Sequence, residues 1–294
     1  MFFTLENLIK ENFAKKSFAV LGSPISHSLS PLMQNKALDF LKISDSKYYA
    51  FDIAPEKLGE ALDSFLDKNF CGLNLTIPHK SEAFDFVKNI SDEAKTLGAC
   101  NVLKNINGQW HGFNTDVYGI EKSLECELNF SLRDSTVLIF GAGGVARAAA
   151  FKAFWNGARK VYIANRSRER LESLLADLHK HGFLAQEFSE ENLNEISLII
   201  NSTSVGLKDG DIAICDFSKF KKDVCFFDTV YRAGKETVSV MAAKQTQLRV
   251  CSGLSMLGYQ GAKSLQIWFD FDDKTLEDVS SLMVETLKAK TWNA

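Results

Sequence analysis

The sequence lacks the features that would assign it to a membrane, to a secreted class or to nucleic acid. No stretch approaches the roughly 20 consecutive apolar residues that a membrane-spanning helix requires. Residues 1–16 carry acids and lysines where a signal peptide has an uninterrupted apolar run. The 34 lysines and arginines face 37 acidic side chains, so a formal charge of -3 gives no strong field to hold a nucleic-acid backbone. We therefore expect a cytoplasmic protein that binds neither nucleic acid nor membrane.

Metal-ligand patterns are also missing from the sequence. The six cysteines are widely and irregularly spaced, with no CxxC pair and no zinc-ligand spacing. The acidic run at residues 270–273 falls between two helical segments, where consecutive acids are typical of an exposed turn. The sequence therefore predicts reduced thiols and no metal site.

The sequence does contain an alternation of short β-type runs with helical patterns. Its composition, 46% hydrophobic and 24% charged, is typical of folded protein. The alternation predicts an α/β fold with mainly parallel sheets covered by helices, and a typical domain size of about 150 residues predicts two domains. The runs that predict strands are 17–22, 48–53, 72–77, 101–105, 136–140, 198–203 and 224–230.

The order of these patterns also predicts how the chain divides. The first α/β layer is complete by about residue 112, and a second series begins with the strand at 136–140. Only helical patterns follow Gly253, and two apolar faces predict two C-terminal helices that cross back to the first layer. We therefore predict one domain from residues 1–115 plus 253–294 and a second from residues 116–252.

A glycine-rich turn follows the strand at 136–140 directly and leads into a helix and another strand. This context and the GxGxxA spacing predict a dinucleotide-binding turn. Its first glycine permits the tight turn, its second lets the backbone approach a pyrophosphate, and the small third residue packs helix on strand. The anion is expected at the helix N-terminus. The residues of the turn are Gly141, Ala142, Gly143, Gly144, Val145 and Ala146.

The end of the next strand indicates which dinucleotide is bound. NAD enzymes usually place an acidic side chain there to hold the ribose hydroxyls. This chain instead has Asn165 and Arg166, followed by Ser167, Arg168 and Arg170. A guanidinium matches a 2′-phosphate with paired hydrogen bonds, so NADP is the predicted cofactor. The alternative is that these arginines only begin a solvated, positively charged helix.

Several polar motifs identify no function one at a time but do so in combination. Ser28 and Ser30 at a helix start suit an anionic group, and Lys80 follows the strand at 72–77. Taken in order, the motifs resemble the shikimate dehydrogenase family across essentially the whole chain after residue 17. They are GSPISHSLSP (22–31), NLTIPHK (74–80), GACNVLKN (98–105), GFNTD (112–116), GAGGVAR (141–147), NRS (165–167), NSTSVG (201–206) and a GxxMxxxQ helix (253–260).

The resemblance implies both an architecture and a reaction. An α/β substrate-binding domain, completed by the C-terminal helices, and a Rossmann-like NADP-binding domain are expected to flank the active-site cleft. The reaction implied is the reversible NADPH-dependent reduction of 3-dehydroshikimate to shikimate, on the route to chorismate and the aromatic amino acids. The resemblance is compatible with a monomer or a homodimer.

The family's functional residues fall on positions of this chain that match its motifs. The resemblance makes Lys80 catalytic and Asp116 its partner carboxylate. Reducing a ketone requires a proton on oxygen as hydride reaches carbon, and an ammonium also stabilises the developing charge. Without the surrounding motifs, these two residues would be interpreted as a surface ion pair. The resemblance assigns substrate binding to Ser28, Ser30, Thr76, Asn101, Tyr231 and Gln260, and it adds Thr203, Gly253 and Met256 to the cofactor site.

Four positions differ from the commonest family pattern, and they cluster toward the nicotinamide end. Thr229 stands where methionine is common and Ala233 where proline often follows the tyrosine. Ser252 stands where aspartate is usual and Ser255 where glycine is frequent. A quinate/shikimate dehydrogenase of broader specificity, using NAD or NADP, therefore stays an alternative. So do a different NADP enzyme, such as a methylenetetrahydrofolate dehydrogenase, and a non-catalytic Rossmann-like sensor, although a sensor needs no proton donor at position 80.

Overall fold

A computed structural model describes the backbone of residues 2–292. The chain divides into two compact units. The first contains the residues up to Thr115 and the segment Gly258–Ala289, and the second contains Asp116–Leu257 and the chain from Lys290. Each unit combines parallel strands with helices, which confirms the predicted α/β fold class.

The first unit contains a seven-stranded sheet of mixed direction, in the order β1-β3-β2-β4-β6-β7-β5. Strands β1 to β4 pair in parallel, whereas β6 runs antiparallel to both β4 and β7. Strand β5 also pairs in parallel with β7, so four of the six pairings are parallel and the sheet is mainly parallel, as predicted. The strands are β1 (Phe3–Thr4), β2 (Lys16–Gly22), β3 (Ser46–Asp52), β4 (Gly72–Leu75), β5 (Asn89–Ile90), β6 (Val102–Ile106) and β7 (Gln109–Phe113).

The second unit contains a six-stranded sheet in which every pairing is parallel. Its strands are β8 (Thr136–Phe140), β9 (Lys160–Ala164), β10 (Ala185–Glu187), β11 (Leu198–Asn201), β12 (Cys225–Asp228) and β13 (Arg249–Cys251). Their order across the sheet, β10-β9-β8-β11-β12-β13, is the 3-2-1-4-5-6 order of a doubly wound dinucleotide-binding fold. The order reverses between β8 and β11, and such a switch point is where folds of this kind bind ligands.

The helices follow the strands in the alternation that the sequence predicts. The helix start predicted at Ser28 and Ser30 is present, because α2 begins at Ser30 with Leu29 in the N-cap position. The helices are α1 (Leu5–Lys10), α2 (Ser30–Phe40), α3 (Leu58–Asp67), α4 (His79–Glu82), α5 (Asp92–Leu97), α6 (Asp116–Lys122), α7 (Gly144–Trp155), α8 (Arg168–Lys180), α9 (Val238–Gln245), α10 (Gly253–Phe269) and α11 (Asp273–Trp292).

The two C-terminal helices are present as predicted, and α10 packs on the first sheet. Trp268 stacks on Phe18 with 4.8 Å between the ring centroids, and its Nε1 donates to the carbonyl oxygen of Leu103 at 2.9 Å. A Cβ on Gly72 would lie 2.3 Å from that Nε1, so β4 begins with the residue that leaves room for the indole. Helix α10 therefore covers β2, β4 and β6.

The six cysteines lie in the described part of the chain and are free thiols. Within residues 2–290, no three histidine, cysteine or acidic side chains are grouped as a metal ion would require. Among the helices described in residues 2–292, none combines the length and the apolar character needed to cross a membrane.

Candidate functional site

The carboxyl ends of β2 and β4 lie side by side and lead into two of the predicted substrate segments. The amide of Thr76 donates to the carbonyl oxygen of Leu21 at 2.9 Å. A Cβ on Gly22 would lie 2.5 Å from Thr76 Cγ2, so a larger residue here would displace the Thr76 side chain. The peptide bonds Ser23–Pro24 and Ile77–Pro78, which follow the two strands, are cis. Both segments therefore start from one edge of the first sheet.

The segment after β2 carries the two predicted carboxylate-binding serines. The amide of Ser30 donates to Ser28 Oγ at 3.3 Å, which brings the two residues into one turn. Ser30 is 6% exposed and Ser28 is half-buried, whereas His27 is exposed. The turn thus holds two residues with neutral hydroxyls close together, and such residues suit an anionic group.

Asn101 and Gln260 are brought together by the fold, although one precedes β6 and the other lies in α10. Asn101 Nδ2 donates to Gln260 Oε1 at 3.2 Å and to Thr115 Oγ1 at 3.0 Å. Asn101 Oδ1 accepts from the Thr115 amide at 2.8 Å. The motifs predict Asn101 and Gln260 but not Thr115, for which the available signal is its position directly before Asp116.

A second set of buried polar side chains supports the pair formed by Asn101 and Gln260. The Tyr48 hydroxyl donates to Asn74 Oδ1 at 2.7 Å, and Asn74 Nδ2 donates to Ser264 Oγ at 2.9 Å. Ser264 Oγ in turn donates to the carbonyl oxygen of Gln260 at 2.9 Å. Burial raises the pKa of Tyr48 well above its ordinary value, so this hydroxyl stays a donor. A satisfied buried network of this kind rigidifies the side chains it holds.

Lys80 lies in the one-turn helix α4, at the same edge of the first sheet as Asn101. Its carbonyl oxygen accepts from the Cys100 amide at 2.8 Å, which ties α4 to the start of β6. The neighbouring His79 is fully buried, and its Nε2 lies 2.8 Å from the carbonyl oxygen of Ile53. His79 therefore anchors α4 beside β3, while Lys80 is half-buried.

The other two predicted substrate-site residues, Asp116 and Tyr231, belong to the second unit. Asp116 is the first residue of α6 and is 4% exposed. Tyr231 is half-buried and follows β12. The next residue, Arg232, pairs with Asp209 at 2.9 Å, which fixes the segment after Tyr231 to the loop that follows β11.

The predicted dinucleotide turn begins with a glycine that no other residue can replace without strain. Gly141 has φ +113°, a conformation that side chains with a Cβ rarely adopt. A Cβ there would also lie 2.6 Å from Ser202 Oγ and 3.1 Å from the Ser202 carbonyl carbon. The turn between β8 and α7 is therefore tight, and it lies against the end of β11, where the strand order reverses.

The next residues of the turn leave the N-terminus of α7 open. A Cβ on Gly143 or Gly144 would meet no atom within 4 Å, and both residues are exposed. No described side chain caps α7, so the amides of its first turn face the same space. Ala142 and Val145 are half-buried, whereas Ala146 is fully buried on the inner face of α7. The turn therefore combines an open anion position with close helix packing, as a pyrophosphate site requires.

The arginines after β9 differ in what they contact. Arg168 forms ion pairs with Glu172 at 2.7 Å and with Glu187 at 2.6 Å. Arg166 is exposed, and its side chain makes no hydrogen bond or ion pair to the described part of the chain. Arg170 is exposed in the first turn of α8. Arg166 is therefore available to a ligand, whereas Arg168 is already neutralised.

Two polar residues beside these arginines shape the same turn. Asn165 Nδ2 donates to the carbonyl oxygen of Ser167 at 2.9 Å. Ser167 is the N-cap of α8, because its side chain accepts from the Arg170 amide at 3.4 Å. The predicted set Asn165, Arg166, Ser167 and Arg170 thus forms one turn at the end of β9.

Thr203 is held by Asn201, the first residue of the NSTSVG motif, and Asn201 is held in turn by Asp228, which no motif contains. Asn201 Oδ1 accepts from the Thr203 hydroxyl at 2.7 Å, and Asn201 Nδ2 donates to Asp228 Oδ1 at 2.9 Å. The fully buried Asp228 also accepts from the Val230 amide at 3.0 Å and the Thr237 hydroxyl at 2.5 Å. Burial raises the pKa of Asp228 to about 6, although these hydrogen bonds lower it. An acid that ends the apolar run CFFD is the signal that could have identified it.

Gly253 starts α10 in contact with the backbone after β12. A Cβ on Gly253 would lie 2.2 Å from the carbonyl oxygen of Thr229 and 2.9 Å from the carbonyl carbon of Val230. The Thr229 hydroxyl donates to the carbonyl oxygen of Asn201 at 2.9 Å, a bond that the more common methionine could not make. Met256 is 7% exposed. These contacts place Gly253, Thr229 and Thr203 around the ends of β11 and β12.

Two of the other departures from the family pattern lie nearby. Ser252 is half-buried between β13 and α10, and Ser255 is 2% exposed in the first turn of α10. Nothing in the structure explains the alanine at position 233.

Replacing Gly253 with alanine should destabilise the second unit by about 3 kcal/mol, because the methyl group would overlap backbone atoms that cannot rotate away. Gly143→Ala is the matched control, since its methyl group enters open space. Denaturant unfolding of both variants measures the effect. An equal change in the free energy of unfolding for the two variants would contradict the role given to Gly253.

Comparison with known proteins places both units in one family. Residues 20–103 match the family described as Shikimate dehydrogenase substrate binding domain, and residues 124–225 match Shikimate / quinate 5-dehydrogenase. The chain is 35% identical over 257 residues to the NADP(+) shikimate dehydrogenase of Aquifex aeolicus, covering 87% of this chain and 92% of that protein. It is 39% identical over 254 residues to the corresponding protein of Methanococcoides burtonii, covering 86% and 92%.

A solved structure gives the same result for the fold. The shikimate 5-dehydrogenase of Thermus thermophilus, crystallised in complex with NADP(H) and shikimate, superimposes with a TM-score of 0.79 at 33% identity. The match covers 91% of this chain and 99% of that one. Sequence identity and coverage at this level establish membership rather than a shared fold alone. The chain belongs to the shikimate dehydrogenase family.

Proposed function

We propose that this protein is a shikimate dehydrogenase that reversibly reduces 3-dehydroshikimate to shikimate with NADPH. The observation that carries the proposal is the polar edge of the first sheet. The Ser28–Ser30 turn, the Asn101–Gln260 pair and the segment that holds Lys80 lie at this edge, which supports the roles that the family motifs assign to them. The relatives named as NADP(+) shikimate dehydrogenases support the same reaction.

Shikimate is a cyclohexene carboxylate with three hydroxyls, and the proposed contacts match this chemistry. Ser28 and Ser30 bind the carboxylate, since hydrogen bonds to a charged group contribute roughly 1.5 to 3 kcal/mol each. Thr76, Asn101 and Gln260 bind the ring hydroxyls, for which side chains that both donate and accept are suited. Tyr231 is also proposed to lie near the carboxylate of the substrate.

The proposed chemical step is proton transfer by Lys80. Its ammonium donates a proton to the carbonyl oxygen as that oxygen gains negative charge, and it accepts the proton in the reverse direction. A positive charge at this point also stabilises the transition state more than the neutral ketone. Asp116 is proposed as the carboxylate partner of Lys80.

The residues of the second unit fit NADP, which when bound supplies or accepts the hydride. The uncapped start of α7 and the open space at Gly143 and Gly144 suit a pyrophosphate. Arg166 binds the 2′-phosphate, and Arg170, Asn165 and Ser167 complete that turn. Thr203, Gly253 and Met256 are proposed at the nicotinamide end. We also place the protein in the cytoplasm as a monomer or a homodimer.

A second candidate function is a quinate/shikimate dehydrogenase of broader specificity. It is favoured by the match of residues 124–225 to the family described as Shikimate / quinate 5-dehydrogenase. Thr229 also supports this candidate. It stands at the nicotinamide end, where methionine is common in the family, and a change there can alter substrate specificity.

Initial rates of the purified protein with shikimate and quinate, each with NADP⁺ and NAD⁺, test the proposal. Fast turnover with shikimate and NADP⁺ and slow turnover with the other three pairs is the expected result. Comparable rates with quinate would select the second candidate. Binding of NADP⁺ without turnover of either substrate would favour a dinucleotide sensor and contradict the proposed enzymatic activity.

A further inference from the structure

The carboxylate of Asp228 lies where three segments of the predicted cofactor site meet. Asp228 ends β12 and pairs in register with Asn201, the last residue of β11, so both lie at the carboxyl edge of the parallel sheet. Through Asn201 it reaches Thr203, whose amide and hydroxyl both donate to Asn201 Oδ1. Through its own Oδ1 it accepts the Val230 amide, directly before Tyr231.

The third segment is held through Thr237. Its hydroxyl donates to Asp228 Oδ2 at 2.5 Å while it accepts from the Val240 amide at 3.1 Å as the N-cap of α9. The methyl side of Thr237 packs against the loop after Thr203, since a Cβ on Gly206 would lie 3.0 Å from Thr237 Cβ. One buried carboxylate therefore connects the Thr203 loop, the segment before Tyr231 and the start of α9.

The charged form of Asp228 satisfies these partners, and the neutral form does not. Each of the three groups that point at it donates a proton: the Asn201 amide, the Val230 amide and the Thr237 hydroxyl. A proton on Oδ1 would oppose two of these donors. A proton on Oδ2 would take away the acceptor of the Thr237 hydroxyl, whose oxygen already accepts from Val240. Protonation therefore breaks or reverses at least one of the bonds.

We propose that Asp228 is a positioning residue of the cofactor site, whose carboxylate holds the Thr203 loop and the Val230–Tyr231 segment in the arrangement that binds the dinucleotide. Protonation of this carboxylate weakens dinucleotide binding. The identity of the dinucleotide rests on the proposed function, but the connection among the three segments does not.

Most charged groups on the segments around Asp228 have other partners, and the Lys208 side chain is exposed. Asp211 accepts from the amides of Gly206 and Lys208, which lower its pKa. Burial raises the pKa of the Cys225 thiol on β12. The sequence from residue 198 to residue 251 contains no histidine. Arg232 and Lys235 both pair with Asp209. Lys244 of α9 pairs with Glu236, and Arg249 of β13 donates to the carbonyl oxygen of Leu128.

The sign of the pH dependence follows from the raised pKa of Asp228, about 6 against an ordinary value of 3.8. The native state holds this proton more tightly than the unfolded chain, so ionisation lowers stability as the pH rises through that range. The negative charge of Asp228 therefore lowers the stability of the folded protein. Dinucleotide affinity, in contrast, should increase as the pH rises through the same range. Asp228→Asn, which keeps the shape and removes the charge, is therefore expected to fold at pH 8.

The test compares the NADP⁺ dissociation constants of Asp228→Asn and the wild-type protein at pH 8 and pH 5. At pH 8 the variant should bind about tenfold more weakly, since it loses a charge-assisted acceptor. At pH 5 the two constants should agree within about twofold, because Asp228 is then protonated in the wild type too. A phosphate also titrates near pH 6, but its effect cancels in the ratio of the two proteins. Asp216→Asn, an exposed carboxylate in the same unit, is the matched control.

Two outcomes would overturn the inference. Equal affinities at pH 8 would show that the carboxylate does not act on the site, and an equal loss at both pH values would show that shape rather than charge is responsible. If the variant does not fold, the wild-type dissociation constant for NAD⁺, which has no 2′-phosphate, decides: a rise below about pH 6 supports the role, and a flat profile contradicts it. Shikimate turnover by the wild type at pH 8 is measured alongside, so that failure of the proposed function is recognised separately.

Discussion

Replacing Lys80 with methionine is expected to lower kcat for shikimate about 10³-fold, with a change in KM of less than about fivefold. Proton transfer by a positioned side chain contributes about 10² to 10⁴ in rate, and the lost ammonium also stabilised the charge on oxygen. Both effects belong to the transition state, so kcat should fall much more than binding. Steady-state rates with NADP⁺ over a range of shikimate concentrations measure the two constants.

Lys88→Met is the matched control for this variant, because Lys88 is an exposed lysine of the same unit. It should leave both constants unchanged. The reverse reaction should lose the same factor in kcat/KM, since a catalyst does not alter the equilibrium constant. A Lys80→Met protein with normal kcat and a raised KM would assign Lys80 to substrate binding instead of proton transfer.

The interior strands of the second unit are the part of the fold that the sequence predicts best. Strand β8 spans Thr136–Phe140 as predicted, and β11 and β12 lie within their predicted runs. A parallel strand covered by helices on both faces is buried throughout, so it reads as a continuous apolar run. Edge strands carry no such signal. Strand β10 (Ala185–Glu187) has two exposed residues of three, and β13 (Arg249–Cys251) begins with an exposed arginine.

The β6–β7 hairpin of the first unit had a signal that apolar runs do not capture. Its two-residue turn is Asn107–Gly108, with φ values of +54° and +77°. An Asn-Gly pair between strand segments is a strong hairpin signal, because both positions need positive φ. The antiparallel part of the first sheet was therefore predictable from turn chemistry, although β7 itself (Gln109–Phe113) alternates buried and exposed residues and lacks a long apolar run.

The candidate site divides in a similar way between residues that motifs predict and residues that only the fold identifies. Asn101 and Gln260 carry family motifs and do meet, at 3.2 Å. Asn74 supports them through Ser264, which lies 190 positions away in the chain, and no local pattern connects two such residues. The run CFFD marks Asp228 as an acid at the end of a buried strand, but only its hydrogen-bond partners show which segments it holds. Positioning residues act through tertiary contacts, so a spacing rule cannot find them.

Arg166→Ala is expected to raise the dissociation constant for NADP⁺ about 100-fold and to change that for NAD⁺ by less than about twofold. Two charge-assisted hydrogen bonds from a guanidinium to a 2′-phosphate account for about 3 kcal/mol, or two factors of ten. NAD⁺ has a hydroxyl at that position and loses little. Fluorescence or calorimetric titration with both dinucleotides measures the change.

Arg168→Ala is the control that separates a specific contact from general positive charge. Arg168 is already paired with Glu172 and Glu187, so its removal should weaken NADP⁺ binding by no more than about threefold. The titrations belong at about 0.15 M salt, where charges farther apart than roughly 8 Å are largely screened and the two freed carboxylates repel the phosphate weakly. If the two alanine variants weaken NADP⁺ equally, the turn after β9 attracts the phosphate only through its net charge. If NAD⁺ weakens as much as NADP⁺ in Arg166→Ala, the arginine holds a part of the cofactor that both dinucleotides share.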